Sequence, residues 1–252
     1  MLKTFLAAFT LLVSVCVARA EPDILILGEV HDNADAHLGQ AEELRLLNPT
    51  AVVFEMLAPD QAAEADADRS RLPSIWARTN WPDFALYQPI FEAAQNARLV
   101  GAAAPRPTIM GVFKDGPTEH FGPDSNRFGL DGDLDSEQLA SRVELQFQAH
   151  CEAMPREMMP GMVNVQRFRD ALLARAALDA LAEHGSPVAI ITGNGHARND
   201  WGVPAAISVA EPKVTVRSIA FVEAPTDVPY DEVRVVPPAE REDPCLSLRQ
   251  DN

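Results

Sequence analysis

The chain has 252 residues, of which 37 are acidic and 21 basic, giving a formal net charge of -16 at neutral pH, and 47% are hydrophobic. That charge repels nucleic acid and anionic lipid and favours a well-solvated surface, so no nucleic acid partner is expected. The length fits one large α/β domain or two small ones, and burial scaling favours a single substantial core.

Residues 1–20 read as a signal peptide. Lys3 precedes an apolar stretch from Phe5 to Val17, and Ala18-Arg19-Ala20 supplies small residues at both positions a signal peptidase reads. Cleavage after Ala20 implies a periplasmic or secreted protein, a single domain over residues 21–252 with 19 basic against 37 acidic residues. The stretch is shorter than the roughly 20 apolar residues of a spanning helix. Val15, just before Cys16, is bulkier than a lipid-attachment signal carries, which places a lipoprotein second to cleavage.

From Ile24 onward, apolar runs alternate with helical patterns. Strand Ile24 to Leu27 is followed by helix Ala34 to Leu47, strand Ala51 to Phe54, short helices between Pro59 and Arg78, helix Pro82 to Ala97, and strand Arg98 to Ala102. This rhythm predicts an α/β fold, a central, mainly parallel β-sheet flanked by α-helices with right-handed crossovers. Residues 108–135 shift to Gly, Pro and Asp and read as an irregular insertion, either a functional lid or mobile filler. Ser136 is the expected N-cap of a helix to Ala153, and Met162 to His184 forms another. Strands Val188 to Thr192 and Val214 to Val222 follow, and residues 225–252 form a Pro-rich tail.

Three polar clusters stand directly after strand-like runs: Gly28-Glu29-Val30-His31-Asp32-Asn33, Glu55, and Gly193-Asn194-Gly195-His196-Ala197-Arg198. In an open parallel sheet such positions meet at the carboxyl edge, where ligands bind. Glu29 and His31 suit either a shared metal ion, a base with its histidine partner, or a loop brace. A mixed carboxylate and imidazole set at Glu29, His31 and His196 fits manganese, zinc, cobalt or iron. Glu55, after an apolar run, must be paired, metal-bound or protonated if buried. His37 reads as a solvated helix face, His120 as part of the insertion, His184 as a helix cap, and Tyr230 as a surface residue. His150 lies beside Met154, Met158, Met159 and Met162, a soft patch that suits ordinary core packing. Tyr87 sits in an aromatic-rich helix start.

Cys151 and Cys245 form an even pair once residues 1–20 are removed, so a disulfide is expected in an oxidising compartment, ahead of Cys151 as a metal ligand.

The chain resembles the ChaN-like haem-binding, iron-regulated proteins, within a superfamily shared with erythromycin-esterase-like and Tiki/TraB proteins. The likeness rests on Leu27 to Asn33, Val53-Phe54-Glu55-Met56, Trp81 with Tyr87-Gln88-Pro89, His150-Cys151 with Met154-Pro155 and Pro160-Gly161-Met162, Gln166 to Ala171, and Gly193 to Arg198 with Gly202-Val203-Pro204. It implies haem as ligand, held across a homodimer, with a tyrosine on the iron. The candidate haem contacts are Tyr87, His150, His196, Arg198 and Met158, and propionates would need a base such as Arg106, Arg156 or Arg198. Two departures stand out: no lipobox is present, and Gly101 to Arg106 offers alanines where members carry an asparagine. The function this implies is an exported haem-binding protein of haem or iron uptake or trafficking. The superfamily's enzymes imply the alternative, a metal-dependent hydrolase using Glu29, His31, Glu55 and His196. CxxCH, paired CxxC, GxSxG, P-loop and GxGxxG motifs are all absent.

Overall fold

A computed structural model describes residues 21–243 and 245–246; the expected signal peptide lies outside the described residues. Six strands, β1 (Ile24–Glu29), β2 (Ala51–Phe54), β3 (Arg98–Gly101), β4 (Val188–Gly193), β5 (Val216–Val222) and β6 (Glu232–Val235), form one sheet in the order β3-β2-β4-β1-β5-β6. Every pairing is parallel. The central strands β1, β2 and β4 are buried along their whole length, which is why they read as continuous apolar runs rather than alternating ones.

Among the described residues the α-helices are α1 (Ala34–Leu47), α2 (Pro59–Ala67), α3 (Leu72–Trp76), α4 (Phe84–Ala93), α5 (Arg106–Asp115), α6 (Pro117–Phe121), α7 (Ser136–Ala149), α8 (Met159–His184), α9 (Asn194–Ala197) and α10 (Val203–Ala210). Alternate strand residues feed two cores. Leu25, Leu27, Val52, Phe54 and Ile191 pack with α1 and with the aromatic side chains Trp76, Tyr87 and Phe91. Ile24, Ile26, Val53 and Ile190 pack with Val112, Phe168 and Ile207 from α5, α8 and α10.

Several expectations need correction. Residues 108–135 are not irregular: α5, α6 and a 3-10 turn at Ser125–Phe128 occupy much of them. Gly111 serves packing there, since a Cβ on it would meet the His120 ring at 2.3 Å. The expected tail contains β6, an alternating Glu-Val-Arg-Val edge strand held by Arg217 to Glu232 and by Arg234 to Glu43 and Glu232. Beyond it Arg241 bridges Asp32 and Glu223, so this segment grips the loop after β1. The N-cap of α7 is Asp135, whose carboxylate accepts from the Glu137 and Gln138 amides, and not Ser136. The glycine-rich stretch after β4 is the single helical turn α9.

Cys151 and Cys245 are disulfide-bonded, their Cα atoms 5.4 Å apart across 94 residues of sequence. Closing a loop of that size stabilises by about 4 to 5 kcal/mol in the chain-entropy view. Urea unfolding should therefore show a lower midpoint for Cys245→Ser than for the parent, and the parent with reductant should match the variant; coincident midpoints with and without the bond would remove it from the stability of the domain.

Candidate functional site

The carboxyl ends of β1, β2 and β4 bring the predicted acids and imidazoles together. Glu29 pairs in register with Gly193, while Phe54 lies opposite Ile191, whose carbonyl accepts the Glu55 amide at 3.1 Å. Two glycines make the approach possible. A Cβ on Gly28 would sit 2.4 Å from Asn194 Oδ1, and one on Gly193 would sit 2.9 Å from His31 Nε2 and 3.9 Å from Glu55 Oε2.

Glu29 is buried at 2% exposure. Its Oε1 accepts the Tyr87 hydroxyl at 2.5 Å and lies 2.8 Å from His31 Nδ1, and its Oε2 lies 3.5 Å from His37 Nε2. Burial alone would raise its pKa, but His31 and His37 lower it on balance, so the carboxylate is ionised. His31 is raised in turn, because Glu29 and Glu55 outweigh the effect of burial. Burial, with Glu29 beside it, pushes the Tyr87 hydroxyl well above the usual tyrosine range. His37 is not a solvated helix residue: it is fully buried and its ring lies 4.2 Å from that of Tyr87.

A second row begins at Glu55. Its Oε2 accepts from Thr192 Oγ1 at 2.7 Å and from the Gly193 amide at 2.9 Å, and its Oε1 lies 3.5 Å from His196 Nε2. The other nitrogen of His196, Nδ1, bonds Asp170 Oδ1 at 2.6 Å. Burial would drive the imidazole neutral, but the two flanking carboxylates hold it protonated, with a pKa of about 10. Glu55 is correspondingly lowered, His196 overcoming desolvation, whereas desolvation leaves Asp170 raised. The result is a buried carboxylate, imidazolium, carboxylate row.

A cavity of about 710 Å³ opens at this edge. Glu55 and Trp81 reach it, Ala102, Ala103, Ala104, Ile109 and Leu173 form an apolar wall, and Arg78, Arg106 and Arg169 line it. Arg78 is paired with Glu64, but Arg106 and Arg169 have no ion pair among the described residues. His31 stands beside the wall, its ring 4.6 Å from Trp81 and its side chain 37% exposed.

The five candidate haem contacts are placed elsewhere; none lines this cavity. Tyr87 is fully buried with its hydroxyl committed to Glu29 and to the His31 carbonyl. His150 ends α7 with Nδ1 on the Gln146 carbonyl, Met158 is partly exposed ahead of α8, and His196 sits in the row just described. Arg198 is bound through two nitrogens to Asp200 and stacked 3.6 Å from the Trp201 ring centre, and Arg156 pairs with Glu144. Tyr230 is half-buried, donating to the Asn194 carbonyl, rather than a surface residue.

The family described as haem-binding uptake, Tiki superfamily, ChaN matches residues 17–207. The chain belongs to this family. Among solved structures it is similar to ChaN of Campylobacter jejuni, described as binding haem cofacially, with 19% identity, 84% of this chain and 86% of that one covered, and a TM-score of 0.62. At that identity the likeness is one of fold. The type III effector HopBA1 (13% identity, 79% and 77% covered, TM-score 0.41) and a succinoglycan biosynthesis protein (9%, 79% and 66%, 0.39) are more distant. No curated protein matches.

The expected divalent metal on Glu29, His31 and His196 finds no support, since no group of three or more His, Cys, Asp and Glu among the described residues is arranged to hold one. His196 has both nitrogens facing carboxylates, and Glu29 is turned to Tyr87, His31 and His37.

The protonated row sets a pH dependence. A folded pKa of about 10 against the ordinary 6.5 means that the His196 contribution is complete below about pH 6.5 and is lost as pH rises through about 10. Glu55, depressed below its ordinary 4.5, contributes above about pH 4.5, and that share is lost as pH falls through its lowered value. The pair is therefore strongest between those limits. In nitrogen-resolved NMR at pH 8 we expect the His196 ring to remain doubly protonated; a neutral ring there would remove the row as an ionic unit.

Proposed function

We propose that this is an exported haem-binding protein of haem or iron uptake or trafficking, which takes haem into the arginine-rimmed cavity at the carboxyl edge. The observation that carries the reading is the combination of an apolar wall with two arginines that have no ion pair, in a chain of net charge -16. Haem supplies a flat apolar ring, two carboxylates and an iron that needs an axial donor. The cavity volume, about 710 Å³, lies within the range of cofactor sites.

Arg106 and Arg169 are the groups that meet the propionates, because a charge-assisted pair is the stronger kind of hydrogen bond. Alanines at Ala102 to Ala104 and the Trp81 ring meet the macrocycle. His31 is the axial donor that the arrangement favours: Glu29 holds its Nδ1, as carboxylates hold ligating histidines, and leaves Nε2 without a hydrogen bond among the described residues. Tyr87 would have to give up Glu29 to reach an iron. The exposed rim at Arg106 and Arg169 suits coverage by a second copy, so haem binding is paired with a homodimer in this reading.

Hemin titration of the purified chain, followed in the Soret band, tests it. Saturable binding is expected, and Arg106→Ala with Arg169→Ala should weaken it by tenfold or more, since hydrogen bonds to charged groups contribute about 1.5 to 3 kcal/mol each. His31→Ala should change the axial signature, and sedimentation with hemin should report the dimer. No saturable spectral change would end the proposal. Fractionation of producing cells, with sequencing of the mature amino terminus, checks export and cleavage before Glu21.

A further inference from the structure

A second cavity, of about 230 Å³, lies among α7, α8 and α10, and the haem reading leaves it unused. Glu55 faces the first cavity and Asp170 this one, and His196 joins the two carboxylates. Two of its lining side chains carry buried polar atoms without a hydrogen-bond partner: Nε of Arg142 and Oδ2 of Asp170. Both side chains are more than nine-tenths buried, at 8% and 2% exposure.

Arg142 is built into place. Its Nη2 donates to Gln138 Oε1 at 3.0 Å, and its guanidinium lies 5.0 Å from the centre of the Trp201 ring, which Arg198 covers at 3.6 Å. No carboxylate pairs with it within 4 Å among the described residues, and burial lowers its pKa to about 10. Asp200, the nearest acid in sequence to Trp201, gives both oxygens to Arg198. Arg167 also lines the cavity, with Nη2 on the Gly129 and Gly132 carbonyls and Asp131 and Asp133 acting on it only from beyond ion-pair distance. Asp170 and Asp200 favour the charged Arg142 guanidinium only from beyond ion-pair distance, and a buried guanidinium whose Nε has no hydrogen-bond partner is unfavourable, so the cavity suits an anion that reaches it. Asp170 Oδ2 adds a condition: facing an acceptor, the anion must bring a hydrogen. The volume admits only a small group.

We propose that this cavity binds a small oxyanion that keeps one proton, hydrogen carbonate or hydrogen phosphate, with its oxygens on Arg142 and its O–H donating to Asp170. The site is separate from the haem reading and stands without it.

Calorimetric titration of the full chain at neutral pH, free of hemin, with hydrogen carbonate, inorganic phosphate and sulfate tests this. Saturable binding of hydrogen carbonate or phosphate is expected, and the tighter of the two identifies the source. Sulfate, which has no hydrogen to offer Asp170, should bind at least about tenfold more weakly, because a buried acceptor left unpaired penalises the wrong ligand. Arg142→Gln should remove binding, and Asp170→Asn, which can donate, should erase the discrimination against sulfate. Absence of binding by both protonated anions, leaving water alone in the cavity, or sulfate bound as tightly as phosphate, would overturn the proposal; both outcomes are read on the unmutated chain and do not depend on any variant folding.

Discussion

The structure depends on the insertion of β4, in register, between β1 and β2. That register sets Glu29 against Gly193 and carries Glu55 onto the Ile191 carbonyl. Side chains alternate with period two along a strand, so a slip of one residue would turn Glu29 and the inner face of β4 to the other core. Three strands distant in sequence are thereby fixed to deliver their terminal side chains around one point, and loops need add only the last turn. The chain reaches this arrangement by running outward through β2 and β3 before returning to fill the gap beside β1, and a crevice opens where such a sheet changes direction.

Among the buried carboxylates, Glu29 and Glu55 at the sheet edge are met by imidazole and hydroxyl rather than by Lys or Arg. Glu29 has His31, His37 and Tyr87; Glu55 has His196, Thr192 and the Gly193 amide. The pairing is obligatory, since an ionised carboxylate without a partner is among the costliest groups to bury. It also explains why Tyr87, one of the chain's two tyrosines, is a brace. Its proton is held by the carboxylate that fixes His31, so the same residue cannot be open to a ligand while that hydrogen bond lasts.

What could be read beforehand follows the strength of local patterns. The buried strands β1, β2 and β4 are legible because their apolar runs are strong. Edge strand β6 is not, since half of its four residues face water and the other half are satisfied by salt bridges made only in the fold. Helix α5 is hidden by its Pro and Gly, the first suited to a helix start and the second to close packing against His120. Glu29, His31, Glu55 and His196 are visible at strand ends, whereas His37 and Asp170 are missed. Yet a signal existed for each. His37 shares the buried stripe of α1 with Gln40, Ala41 and Leu44, and Asp170 that of α8 with Val163, Ala174 and Ala177. A polar residue on a buried stripe needs a partner, and in this chain the partners are Glu29 and His196.

Helix α8 gives the stretch Gln166 to Ala171 its physical meaning. Arg167 and Arg169 are two residues apart, hence about 200° apart around the axis. Arg167 therefore lines the smaller cavity and Arg169 the larger one, while Phe168 between them is buried in the core. Asp170, next along, takes His196. One helix thus forms the common wall of both cavities, supplies each with a cation, and places between them the carboxylate that completes the row from Glu55. Against a net charge of -16, this helix sets one cation on the exposed rim of the larger cavity and another, half-buried, on the smaller.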